Sequence, residues 1–167
     1  VSTDNAYAAV EVAQITPSTS GTIQEVKVKD TEAVKKGDIL VIIDDTDAKL
    51  TCAKLNADLV RAEANLSSAK IDYDRRAALV ESGSVSKEEL TDSENALKVS
   101  QAIRDSSKAA VDQAQVDLER TIVRSPVDGV VAKRQVQLGQ RVQAGAPLLS
   151  VVPIEEMHVD ANFKEGQ

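Results

Sequence analysis

Apolar and polar positions change their period twice along this chain. In the first forty residues they read as strands: Val26 and Val28 alternate with Lys27 and Lys29, the period of two of a half-buried strand. Ser20-Gly21 and Gly37-Asp38 supply turns, and the unbroken run Ile39 to Ile43 has the length and β-branched content of a buried strand. From Ala48 the period becomes helical. Cys52, Leu55, Leu59, Ala62, Leu66, Ala69, Tyr73, Arg76 and Val80 follow in steps of four and three, and all of these seam positions except Arg76 are apolar. That is a heptad seam of more than four heptads with no Pro or Gly inside it. Its many Ala positions admit a close partner helix.

The chain reverses at Glu81-Ser82-Gly83-Ser84. Ser86 and Glu89 have the spacing of a capping box, and Val85 and Leu90 that of a hydrophobic staple, so a second helix starts here. It is expected to run to about Arg120 and to stop before Pro126. Its seam is diluted: Leu90, Ser93, Leu97, Ser100, Arg104, Ser107, Val111, Ala114, Leu118. A second partial stripe, Ala96, Val99, Ile103 and Ala110, lies on a neighbouring face. It reads either as a broadened packing face or as a lateral surface for another protomer. At 1.5 Å per residue, helices of roughly 35 residues make a hairpin about 50 Å long. A four-residue turn favours an antiparallel pair. Strand period then returns, with Asp128-Gly129 as a hairpin signal and an apolar run from Leu148 to Val152.

The two strand regions carry the same text. Pro17-x-x-x-Gly21-x-Ile23, Val28 and Val34-x-x-Gly37-x-x-Leu40-Val41-x-Ile43 reappear as Pro126-x-x-Gly129-x-Val131, Val136 and Val142-x-x-Gly145-x-x-Leu148-Leu149-x-Val151, at a constant offset of 108 residues from Gly21 onward. One small β-module is therefore cut in half by the hairpin, and its halves must meet in space.

Composition narrows the picture. Aromatic residues are 2% of the 167, with no Trp, so thin cores of Ala, Val, Leu and Ile are expected. A net charge of −7 argues against a nucleic-acid partner, which needs a concentrated basic face. Cys52 is alone, so it forms no internal disulfide, and the single His158 reads as a surface or packing residue. No apolar run approaches the ~20 residues needed to cross a bilayer. The chain begins mid-strand and ends at Lys164-Glu165-Gly166-Gln167 without a closing signal, as expected of an excised soluble fragment whose membrane anchor and final domain lie outside it.

A split β-module enclosing a helical hairpin resembles the periplasmic adaptors, or membrane fusion proteins, of the HlyD-like superfamily. Its halves are similar to those of the lipoyl and biotinyl carrier fold. Thr3-Asp4-Asn5-Ala6-Tyr7 and Val159-Asp160-Ala161-Asn162-Phe163-Lys164-Glu165 are similar to the EmrA-like branch. The resemblance implies an α+β chain: a split lipoyl-like (barrel-sandwich hybrid) β-domain over 15–45 and 122–152, and an inserted antiparallel two-helix coiled-coil hairpin over 46–121, with helices at about 46–81 and 86–121. Partial β-barrel strands are expected at 1–14 and 153–167. It further implies an adaptor anchored in the inner membrane and extending into the periplasm. Its partners would be a major-facilitator type drug exporter, a TolC-like outer-membrane channel and further copies of itself, as a trimer or hexamer. Many members carry Arg, Leu and Ser at fixed spacing around the hairpin tip, and Arg75, Leu79 and Ser86 fit that spacing. Arg76 is an alternative guanidinium. Ser86 is also explained as an N-cap, and Leu79 as the end of the coiled coil.

Other readings remain at this point. A type I secretion adaptor shares the same architecture, and a structural coiled-coil spacer shares all of it except the flanking strings. A lipoyl or biotinyl carrier needs a modifiable Lys at a β-turn, but Asp47 stands at that place and Lys49 falls within the first helical turn. No cofactor is expected. The carboxylates Asp44, Asp45 and Asp47 suit the positive end of a helix dipole without any metal. Nothing resembles a nucleophile–base pair, a phosphate loop or a zinc spacing, so no enzyme activity is expected.

Overall fold

The computed structural model describes residues 11–154. The elements are β1 (Ala13–Ile15), β2 (Gly21–Val26), β3 (Ala33–Val34), β4 (Ile39–Ile43), α1 (Thr46–Leu79), α2 (Lys87–Glu119), β5 (Ile122–Arg124), β6 (Gly129–Ala132), β7 (Arg141–Val142) and β8 (Leu149–Pro153). Among the described residues they fall into two compact units, one formed by the segments 11–45 and 118–154, the other being Thr46–Asp117. Most of the barrel segments expected at 1–14 and 153–167, with the two flanking strings and His158, lies outside the described residues; of the part described, Ala13 and Gln14 pair in β1 with β8, and Pro153 ends β8 opposite Gly129.

In the β unit the two copies do not stand side by side; they interleave. One antiparallel sheet has the order β1-β8-β6-β3 and the other β5-β4-β2-β7. Moving each strand by one repeat converts the first order into the second, so each sheet takes two strands from each copy. Loop hydrogen bonds obey the same exchange. Ile23 N–H donates to Gln140 O at 2.8 Å, and Val131 N–H donates to Glu32 O at 2.9 Å. Thr31 N–H donates to Val131 O, and Gly139 N–H donates to Ile23 O. An isolated copy would leave these buried backbone groups without partners, a cost of roughly 1–3 kcal/mol each.

The core shows the same duplication. Its fourteen buried apolar residues form seven pairs at the offset of 108: Ile15 with Val123, Ile23 with Val131, Val28 with Val136, Val34 with Val142, Leu40 with Leu148, Val41 with Leu149 and Ile43 with Val151. No aromatic residue takes part. Two glycines permit the close approach of strands at equivalent places. A Cβ on Gly21 would lie 2.6 Å from the Ile43 side chain, and one on Gly129 would lie 2.6 Å from that of Val151 and collide with the Val152 carbonyl.

In the hairpin, every seam position of both helices is buried or half-buried, including Ser93, Ser100, Arg104 and Ser107 of α2. Ala62, Ser93, Val111 and Ala114 are the most enclosed, at 3–5% exposure. The pairing is antiparallel, with Arg104 Nη2 lying 3.8 Å from Glu63 Oε2. At that register Ser93, Ser100 and Ser107 stand within one residue of the level of Tyr73, Leu66 and Leu59. Small seam side chains on α2 thus fall near the level of large ones on α1, a spacing that accounts for the apparent dilution of the second seam as size complementarity. The broadened packing face is not realised, because Val99 and Ile103 remain 58% and 52% exposed. α1 ends at Leu79, earlier than the expected 81, because Ser82 Oγ donates to the Leu79 carbonyl at 2.8 Å and Gly83 takes a φ of 80°.

Candidate functional site

The closed end of the hairpin carries the three residues singled out from the sequence. Arg75 and Leu79, four apart in α1, occupy one face of the helix. Asp72 organises the arginines. Its Oδ1 accepts from Arg76 Nη1 and lies 3.5 Å from Arg75 Nη2. Arg76 is on the seam and its side chain is 35% exposed, whereas that of Arg75 is 65% exposed. A guanidinium has five N–H donors, so one ion pair leaves Arg75 most of them for an incoming acceptor. Leu79, 39% exposed, is the last residue of α1 and adds an apolar knob to the same face.

Ser86 has a different position. It stands across the turn, and its Oγ accepts from Glu89 N–H at 3.0 Å, capping α2. One of its lone pairs already serves folding, while its O–H remains able to donate. Arg75 and Leu79 therefore share a helix face, and Ser86 begins the opposite strand of the hairpin.

A second surface was not singled out by sequence reasoning. Leu50, Ala53, Ala57, Val60, Ala64 and Ile71 lie on the outer face of α1, and all are exposed. Their steps of three, four and, across Ser67, seven repeat the period of the seam. The same heptad spacing carries both rows, and the larger apolar side chains of the seam make it the dominant signal on this helix.

Asp47 lies in the first turn of α1, so the chain is already helical where a carrier fold would present its Lys. Among the described residues, no three His, Cys, Asp or Glu side chains come together as a metal site. Grooves on the β unit include an open one of about 550 Å³ lined by Gln24, Glu25, Val26, Arg134, Gln137 and Leu138, and a smaller one of about 260 Å³ beside Lys36, Pro126 and Asp128. No helix is long and apolar enough to cross a membrane among the described residues.

Comparison with known proteins bears on this geometry. Residues 11–154 match the model for the barrel-sandwich hybrid domain of RND membrane fusion proteins. The chain is 39% identical to the fatty acid resistance protein FarA of Neisseria gonorrhoeae, over 99% of this chain and 54% of that protein. It is 32% identical to the multidrug export protein EmrA of Escherichia coli K12, again over 99% of this chain and 54% of the relative. It thus spans about half the length of these relatives. Among solved structures, a MacA-MexA chimera containing the Pseudomonas aeruginosa MexA α-hairpin domain superposes with a TM-score of 0.55 at 32% identity, over 86% of this chain and 48% of the other.

Proposed function

The chain belongs to the membrane fusion protein family, on the branch of FarA and EmrA, and from that premise we propose that it is the hairpin-bearing part of a periplasmic efflux adaptor. In this reading the whole protein is anchored in the inner membrane and couples a major-facilitator type drug exporter to an outer-membrane channel. The hairpin tip docks the channel through Arg75 and Leu79, with Ser86 beside them. Several copies, as a trimer or hexamer, make up the working adaptor. No reaction is catalysed; the function is connective. The observation that carries this reading is a β unit built only when both copies of its motif come together, so that the hairpin between them is held at both ends.

The chemistry at the tip supports the docking role. An exposed guanidinium beside an apolar knob suits a partner surface that offers carbonyls or carboxylates next to an apolar socket. The test is site-specific crosslinking in the bacterium. Gly83→Cys in the full-length protein, with Cys52→Ala, is expected to capture an outer-membrane channel identified by mass spectrometry. Arg75→Glu should lower that capture about tenfold, a loss near 1.4 kcal/mol. Capture of nothing but further copies of the chain would overturn the docking reading in favour of a spacer. An intact mass above that of the unmodified chain by a lipoyl or biotinyl adduct would overturn it in favour of a carrier.

A further inference from the structure

The two copies of the β module share a backbone plan but not a surface charge. Residues 21–46 of the first carry four cations and six carboxylates. The equivalent residues 129–154 carry three cations, Lys133, Arg134 and Arg141, and no carboxylate. In a chain of net charge −7 this is a local reversal of sign. The turns show it most plainly. Lys27, Lys29, Asp30 and Glu32 of the first copy stand where the second has Gln135, Gln137, Leu138 and Gln140. Each turn buries a valine, Val28 or Val136, and each bonds to the opposite copy in the same way, Thr31 N–H to Val131 O and Gly139 N–H to Ile23 O. The fold therefore accepts charged residues at these places, and Leu138, 70% exposed, fills no core.

The reversed surface forms one wall of the open groove of about 550 Å³. Arg134, Gln137 and Leu138 stand on that wall; Gln24, Glu25 and Val26, the end of β2, stand on the other. A groove of this size holds a small organic molecule. Val26 and Leu138 offer apolar surface, and Gln24 and Gln137 offer amides. Arg134 makes no ion pair among the described residues, and its guanidinium keeps its charge at any working pH. The carboxylate of the lining, Glu25, is held by Lys27 Nζ at 2.9 Å, so it does not cancel Arg134. The groove thus joins one uncompensated cation to apolar surface. The place related to it by the repeat has Lys29 and Asp30 instead of Gln137 and Leu138. There the Asp30 carboxylate faces the chain at Arg134, whose N–H donates to Oδ1 at 2.8 Å, and its charge repels an anion. The molecule contains its own control.

We propose that this groove binds a small amphiphilic anion, one carboxylate head on an apolar body. Arg134 takes the head, because a guanidinium meets a carboxylate through two parallel N–H bonds. Val26 and Leu138 take the body. The groove is open to water, so the complex is weak and exchanges fast. In an efflux adaptor such a groove would meet the exported compound; that meaning rests on the proposed function, whereas the binding itself does not.

The test is equilibrium dialysis of the full chain against decanoate, kept below its micelle-forming concentration. Saturable binding with a Kd of about 1 mM or tighter is expected. Decyltrimethylammonium, with the same tail and the opposite charge, should bind at least about tenfold more weakly. Arg134→Gln should weaken decanoate binding about tenfold and Leu138→Asp, which installs the residue type of the first copy, at least about threefold. Lys29→Gln should leave it unchanged. Melting midpoints should stay at that of the parent chain, because all three side chains are exposed. Equal binding of the two decyl probes, or an equal loss from Arg134→Gln and Lys29→Gln, would overturn the proposal in favour of unspecific apolar or charge attraction. No response to decanoate, with co-sedimentation on phosphatidylglycerol vesicles, would overturn it in favour of a membrane surface. A changed sedimentation mass for Leu138→Asp with decanoate binding intact would overturn the role of Leu138 in favour of a contact between copies. Channel capture by the Gly83→Cys protein is read separately: its loss with decanoate binding retained sinks only the docking, and the converse sinks only this site.

Discussion

Thr31 holds a φ of 72°, a left-handed backbone that a β-branched residue adopts only under strain. Its equivalent in the second copy is Gly139, at φ 83°. Both turns make the same bonds. Glu32 N–H donates to Lys29 O and Lys29 N–H to Glu32 Oε1; Gln140 N–H donates to Gln137 O and Gln137 N–H to Gln140 Oε1. The geometry demanded by the fold overrides the preference of Thr. Thr31→Gly should therefore stabilise the β unit by about 1 kcal/mol, while Gly139→Thr should destabilise it by at least about 1 kcal/mol, both read from thermal melts. A stabilised Gly139→Thr would contradict the equivalence of the two turns. At the hairpin tip, folding and docking roles separate by residue. Ser86→Ala removes the N-cap and should cost about 1 kcal/mol of hairpin stability. Arg75→Ala breaks only an exposed pair with Asp72 and should leave the melting midpoint within the effect of about 0.5 kcal/mol typical of surface pairs.

Among the elements, the helices were the most legible, because periodicity, the absence of Gly and Pro and the Ser86 cap all agree locally. What the pattern did not convey was the meaning of Ser93, Ser100 and Ser107. Read along α2 alone they weaken a seam; read across the hairpin they make room for Tyr73, Leu66 and Leu59. Complementarity belongs to a pair of helices, and one helix's spacing does not encode it. Leu66→Ala should thus cost about 1–2 kcal/mol, less than in an enclosed core because Leu66 is only half-buried. Ser100→Leu should destabilise by about 1–3 kcal/mol despite raising hydrophobicity, because its space is already filled. Loss of the helical circular dichroism signal in urea measures both. Should Ser100→Leu stabilise the hairpin, the size-complementary register would be wrong. The strands were legible as a repeat but not as a topology. The offset of 108 shows which residues are equivalent, while the exchange of strands between copies depends on long-range pairing such as Ala13 with Val151 and Gly21 with Val142.

For the whole molecule, the account depends on the two copies forming a single cooperative β unit. Each sheet contains strands from both, all fourteen core residues are shared as equivalent pairs, and loop amides of each copy are satisfied by carbonyls of the other. The hairpin can then be an insertion without loss of the fold around it. Native-state hydrogen exchange at the amides of Ile23 and Val131 tests this most directly, since each is bonded to the opposite copy. The account predicts that both open with the same free energy, within about 1 kcal/mol, and that both follow global unfolding of the β unit. Exchange of one amide through an opening several kcal/mol cheaper than the other would show that the copies fold separately, and would contradict it.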